Sequence, residues 1–363
     1  MTLGIDGGLL HTYLLLDTAS PETWVQCEGC NPCIQVNQRD FSYTGSRTYR
    51  KMRPNDPMCY PQLDYEGSCG FDIMYGFNAH ATGFIGRDVF YFQNGQNSDL
   101  YPYPGIAFGC AVHNENFQFG ENYGPHNVIA GIHGLAPGPR SFMRQLGSQI
   151  RGQFSYCLVS SMMHVNSYIY FGGDADISGD DATRVQTISM YDEKYHLYLN
   201  GISVDGNRLS IDPSIFELDE EFYTKGFFID SGSPFTVLAR SAFYPLKQAM
   251  IDYFRHNYGW QPTDAGDQNP LCYSHVPSDS QRYPSTILHF ANRQSEEIDW
   301  IMDKDHMFLN TEHNDGFCMA IYSTDDPGPN IFGAFQQVNF NILYDVNNNG
   351  LLSFVPKRCH EMH

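Results

Sequence analysis

The chain has 363 residues, with 21 Lys+Arg against 41 Asp+Glu and a formal net charge of −20. That length suits two domains or one large bilobal unit, and 42% hydrophobic with 17% charged residues marks a folding chain, not a disordered one. So acidic a surface repels phosphate backbones, which removes nucleic acid from the expected partners, and the lack of any run of 18 apolar residues removes a membrane-spanning helix.

Met1-Thr2-Leu3 leads into patterned sequence without the layout of a signal peptide, so any targeting segment or propeptide is expected to have been removed. The first element is an apolar strand, Leu14-Leu15-Leu16, running into Asp17-Thr18-Ala19-Ser20. Ile132-His133-Gly134 forms an apolar-x-Gly element, and Ser141 caps a short helix with Phe142, Leu146 and Ile150 in register. Tyr168-Ile169-Tyr170-Phe171 reads as a strand. Phe227-Phe228-Ile229 is another, ending in Asp230-Ser231-Gly232-Ser233. Ser241 is expected to cap a longer helix with Leu246, Ala249, Met250, Tyr253 and Phe254 on one face and Pro245 in its first turn. A second apolar-x-Gly element, Ile331-Phe332-Gly333, precedes the strand Ile342-Leu343-Tyr344 and a hairpin turn at Asn349-Gly350. The segment from Asp345 imitates a calcium loop, but Pro356 stands where a bidentate Glu is required, so calcium is rejected. The texture is mostly β.

No repeat of 20 to 50 residues is present, which excludes solenoids and propellers. A longer repeat is. Each half has an apolar strand, an Asp turn, a β stretch and an apolar-Gly element, which implies two lobes related by a pseudo-twofold, residues 1–160 and 161–363. One Asp turn alone would be ordinary turn chemistry. Two, each behind an apolar strand at the same place in its half, point to a pair of carboxylates. If the pseudo-twofold joins Asp17 and Asp230, both cannot ionise, and the pair holds one proton. The ionised member then serves as general base on a water while the protonated one donates to a carbonyl. No helical His pair flanks a Glu, no metal or other cofactor is implied, and no N-glycosylation sequon occurs.

The 10 cysteines are an even count that argues for an oxidising compartment and disulfides. Cys27-x-x-Cys30-x-x-Cys33 has iron–sulfur-like spacing, but it would need a fourth ligand and a reducing cell.

These features together resemble a pepsin-type aspartic endopeptidase, and in particular the plant nepenthesin-like group. The resemblance runs nearly end to end. Trp24 stands where that family keeps a Trp behind the flap tyrosine. Met74-Tyr75-Gly76 with Thr82-Gly83-Phe84-Ile85-Gly86-Arg87-Asp88-Val89 resembles its flap hairpin and return strand. Ile106-Ala107-Phe108-Gly109-Cys110, Phe154-Ser155-Tyr156-Cys157 and Asn330-Ile331-Phe332-Gly333 also match. The resemblance implies a mostly β, bilobal fold with an active-site cleft between pseudo-twofold lobes and a flap hairpin. It implies catalysis by Asp17 and Asp230, with Ser20 and Ser233 orienting them, Gly232 in the second turn, Thr18 and Ser231 beneath the site, and Tyr75-Gly76 closing over substrate. It further implies the disulfides Cys27–Cys30, Cys33–Cys110, Cys59–Cys69, Cys157–Cys359 and Cys272–Cys318.

Five positions depart from the family pattern: Ala19 for Gly in the first Asp turn, Asn78 for Gly at the flap tip, His133 for an apolar residue, and Ser233-Pro234 where Thr-Thr or similar is common. Ala19 keeps its N–H, but a positive φ there would strain an L-residue. On that argument Ala19→Gly is expected to raise activity and Gly232→Ala to lower it. The function expected is acid hydrolysis of proteins or peptides, inhibited by pepstatin-like compounds, by a monomer in the apoplast or vacuole. The alternative is a weak or inactive homologue acting as a binding or inhibitor protein, like the plant xylanase inhibitors.

Overall fold

The computed structural model describes residues 2–5, 8–60, 63–93, 99–119, 124–160, 163, 165–177, 186–191, 194–219, 225–263, 271–277, 282–292, 296–311, 315–347 and 350–362. The chain divides into two compact units, Met1–Ile150 and Arg151–His363, ahead of the boundary at 160 proposed from sequence. Both are mostly β.

In the first unit, strand Tyr13–Asp17 lies parallel to Ile129–Gly134, with Asp17 opposite Gly134. Ile129–Gly134 runs antiparallel to Trp24–Gln26, which in turn lies parallel to Leu100–Glu115. A long antiparallel pair, His80–Gln93 with Leu100–Glu115, continues the sheet, and Ser68–Met74 folds back on His80–Gln93 as a hairpin. Trp24, Phe71, Ile85, Ala107 and Ile132 form the core beneath these strands.

The second unit repeats that construction. Phe227–Ile229 lies parallel to Asn330–Phe332, which is antiparallel to Thr236–Ala239, itself parallel to Ile321–Thr324. The glycine of each apolar-x-Gly element is there for space. A Cβ on Gly134 would meet the Glu22 and Ser20 carbonyl oxygens at 2.6 Å, and one on Gly333 would meet the Phe235 backbone at 2.2 Å. The loop after each Asp turn can therefore press directly onto its neighbouring strand.

The helix of this unit spans Arg240–Tyr258 and buries Ala242, Phe243, Leu246, Met250 and Phe254. Ser241 is not its cap. The helix starts one residue earlier, and the Asp326 carboxylate accepts from the Ser241 N–H (3.0 Å) and hydroxyl (2.9 Å). A residue distant in sequence thus supplies the anionic cap of this helix, whereas the short helix Phe142–Leu146 of the first unit is capped as expected by Ser141, whose side chain accepts from Arg144 N–H. Pro245 consequently falls in the second turn and contributes no bond to the Ser241 carbonyl. Phe340–Asp345 and Leu351–Pro356 pair as a hairpin with Asp345 opposite Leu351. Of its turn, Asn348 and Asn349 lie outside the described residues, and Gly350 has φ +69°.

Two of the five disulfide pairs differ from those implied by resemblance. The structure joins Cys27 to Cys110 and Cys30 to Cys33, in place of Cys27–Cys30 and Cys33–Cys110. Strand register is the reason. Val25 pairs with Cys110, and the Cys27 N–H donates to Ala111 O, which brings the buried Cys27 and Cys110 to a Cα separation of 5.4 Å. Cys30 and Cys33 face each other across the turn that follows. Cys59–Cys69, Cys157–Cys359 and Cys272–Cys318 are as implied.

Candidate active site

Each Asp turn is a closed set of local hydrogen bonds. Asp17 Oδ1 accepts from the N–H groups of Ala19 (2.8 Å) and Ser20 (3.1 Å), and its Oδ2 accepts from Ser20 Oγ (2.8 Å). Asp230 Oδ1 accepts from Gly232 N–H (2.7 Å), and its Oδ2 from Ser233 Oγ (2.7 Å). The two carboxylates, 6% and 8% exposed, are thus held in the same way by residues two and three positions on. Beyond them, Leu135 N–H donates to the Asp17 carbonyl, and Asp230 N–H donates to Phe332 O. Thr18 and Ser231 are buried directly after each Asp.

Neither Ala19 nor Gly232 has a positive φ. Against expectation, Ala19 is therefore unstrained, and the N–H that matters is in place. Asn78, by contrast, does sit at φ +57°, as does Phe77 beside it. The glycine missing from the hairpin tip is replaced by Asn, the non-Gly residue best suited to the left-handed region. Phe77 is fully exposed there.

Trp24 Nε1–H donates to Tyr75 Oη at 2.8 Å, which joins the strand after the first Asp turn to the hairpin tip. Burial pushes the Tyr75 phenol well above its ordinary range, and the Asp17 charge adds to that, while hydrogen bonds with Trp24 and Ser20 oppose it. Tyr75 stays a neutral hydroxyl. Gly76 follows it, exposed, in the tip. The residue that sequence reasoning missed here is Phe117, whose ring centroid lies 5.2 Å from Trp24 and 5.8 Å from Tyr75. Nothing local marks it, because it reaches the site from beyond the end of strand Leu100–Glu115.

Two further groups brace the first Asp turn. Arg140, 4% exposed, clamps Glu22 through Nη2 (2.7 Å) and Nε (3.2 Å) and also donates to the carbonyls of Met58 and Tyr60. Burial raises the Glu22 carboxyl against the pull of Arg140. His133, opposite Leu16, has Nδ1 3.2 Å from Thr23 Oγ1, while Nε2 is buried with no partner among the described residues. Burial lowers the His133 imidazole to about 3.

A serine–histidine–aspartate chain also occurs in the second unit. Ser203 Oγ is 2.7 Å from His289 Nε2, and His289 Nδ1 is 2.7 Å from Asp299 Oδ1. Ser203 is 5% exposed in the middle of a sheet, so its hydroxyl cannot reach a substrate carbonyl. The chain satisfies buried polar groups.

The chain resembles known proteins over nearly its whole length. Residues 1–173 match the family model described as xylanase inhibitor N-terminal, and residues 194–355 its C-terminal counterpart. Aspartyl protease AED1 of Arabidopsis thaliana is 29% identical over 99% of this chain and 71% of its own length. Aspartic proteinase nepenthesin-1 of Nepenthes gracilis is 28% identical over 95% of this chain and 74% of its own. The soybean basic 7S globulin has the same fold, with a TM-score of 0.76 at 18% identity, covering 100% of this chain and 94% of that one. No helix among the described residues is long and apolar enough to cross a membrane.

Proposed function

Because the chain belongs to the pepsin-type aspartic proteases, in their plant nepenthesin-like group, we propose that it is an acid-acting endopeptidase whose two Asp turns work as one catalytic pair. One observation carries the reading. Asp17 and Asp230 are both present, and each is held by an i+2 N–H on one oxygen and an i+3 Ser hydroxyl on the other. Such bonding fixes a carboxylate oxygen's direction while leaving lone pairs for a water.

In the proposed reaction the ionised carboxylate takes a proton from water as its oxygen adds to the peptide carbonyl carbon. The protonated carboxylic acid gives its proton to the carbonyl oxygen, forming a neutral gem-diol. The first aspartic acid then protonates the amide nitrogen while the second takes a proton back from the gem-diol, and the C–N bond breaks. Ser20 and Ser233 orient the carboxylates, and Tyr75, braced by Trp24, closes over the substrate. Thr18 and Ser231 lie beneath. The substrates are proteins or peptides, and the compartment is secreted or vacuolar, as five disulfides favour.

The second reading, a non-catalytic binding protein, is favoured by the description of the matching family model alone. Digestion of an unfolded protein at acid pH, with and without pepstatin, separates the two. Pepstatin-sensitive cleavage establishes the enzyme. Its absence at substrate-level protein concentration rejects the enzyme.

A further inference from the structure

We propose a divalent metal site of the Zn2+ class, outside the Asp turns, formed by His80, His113 and Glu115. One ligand atom from each lies within 4.8 Å of the others. Strand pairing puts them there. His80 is opposite Glu115, and Thr82, two residues on, is opposite His113, so the three side chains share one face of two neighbouring strands. Each is partly exposed, at 27%, 36% and 46% of the side chain, so an ion can enter from solvent and the side chains have room to adjust. Tetrahedral Zn2+ with bonds of about 2.0–2.1 Å needs ligand atoms roughly 3.3 Å apart, and His113 Nε2 is already 3.2 Å from Glu115 Oε1.

The tautomers support this assignment. His113 Nδ1 lies 3.1 Å from Asn31 O, an acceptor only, so this nitrogen carries the proton. In the neutral ring Nε2 then has a lone pair, and it faces the Glu115 carboxylate, which also only accepts. At that distance the two acceptors are reconciled either by a proton on Nε2, which makes an imidazolium–carboxylate pair, or by a metal ion that both ligate, and the third ligand from His80 favours the metal. His80 has the matching support: its Nε2 donates to Asp72 Oδ1 at 2.9 Å on the third strand, leaving the lone pair on its other nitrogen. Both histidines thus have the outer partner, one a backbone carbonyl and one a carboxylate, that orients a metal-ligating imidazole and raises its basicity. Two imidazoles and a carboxylate suit Zn2+ better than the all-oxygen shells of Ca2+ or Mg2+.

His80 is the first residue of the return strand after the Tyr75–Ala79 tip. An ion held here ties that strand to Leu100–Glu115 just below the tip. No helical His spacing marks such a set, since its members come from two strands and are assembled by register. Cys30 and Cys33, near Asp40, form no rival site, because both thiols are in a disulfide.

The test is calorimetric titration of the chelator-treated full chain with ZnCl2 at neutral pH, with circular dichroism confirming that each variant is folded. The expected result is one Zn2+ per chain, loss of that binding in His80→Ala and in His113→Ala, and retention in the exposed control His256→Ala. Glu115→Gln, the conservative variant, weakens binding at least ~10-fold, and Asp72→Asn, which removes only the outer partner, weakens it ~10–100-fold. Absence of saturable binding, undiminished binding in the two His variants, or equal binding of Ca2+ would overturn the proposal.

Discussion

Replacing His133 with Leu tests how a buried imidazole fares in acid. The His133 ring packs against Phe142 at 4.7 Å and Phe92 at 6.2 Å, and its only polar partner among the described residues is Thr23. Protonation would bury a cation whose Nε2–H has nothing to bond, so the native imidazole titrates at about 3. In the unfolded chain it titrates near ~6.5. Below ~6.5 the unfolded chain therefore takes up a proton that the native chain refuses, and stability falls with pH by ~1.4 kcal/mol per unit until the native group titrates. The cost is ~3 kcal/mol by pH 4, equivalent to roughly 6–12 °C in Tm for a unit of this size. His133→Leu removes that proton uptake and loses the Thr23 bond, worth ~1 kcal/mol, at all pH values. Urea unfolding from pH 7.5 to 4, in an Asp17→Asn background to suppress self-digestion, should show the variant near or just below the parent at neutral pH. In acid it should be ~2–3 kcal/mol more stable. Parallel stability curves, or an NMR titration of His133 centred at ~6.5 in the folded protein, would mean that the buried ring accepts its proton freely.

The other predictions concern the site and its frame. Asp17→Asn and Asp230→Asn should each abolish nearly all cleavage of a peptide substrate while leaving the fold intact by circular dichroism; full activity in either sinks the paired mechanism. Ala19→Gly should leave kcat/KM within about threefold and lower stability by ~0.5–1 kcal/mol in thermal melts, since it relieves no strain and adds freedom to the unfolded chain. Arg140→Ala should cost ~3–5 kcal/mol in chemical denaturation, because the Glu22 carboxylate is then buried without its partner, whereas Arg140→Met with Glu22→Met should cost less. Non-reducing peptide mapping should recover Cys27 linked to Cys110 and Cys30 linked to Cys33, with no free thiol; a Cys33–Cys110 peptide would contradict the strand register described above.

What the residues by themselves determined is local. The Asp turns close through partners two and three residues on, so Asp17-Thr18-Ala19-Ser20 and Asp230-Ser231-Gly232-Ser233 carry their own geometry wherever the chain goes. The apolar strands feeding them, the Ser141-capped helix and the apolar face around Leu246, Met250 and Phe254 follow from period and capping alone. The link from Trp24 to Tyr75 was legible only through family resemblance, since the residues between them do not dictate it. Tertiary structure decided the rest. Asp326 caps a helix through Ser241, 85 residues before it in the sequence, Arg140 reaches Glu22 across 118, and Cys27 finds Cys110 across 83. Phe117 joins Trp24 and Tyr75, and His80 meets His113 and Glu115, for the same reason. A contact within a turn is imposed by bond geometry, but a contact between strands depends on which strands pair and in what register. That register is chosen by the burial of whole faces, and a shift of one residue would have delivered different side chains to every one of these sites.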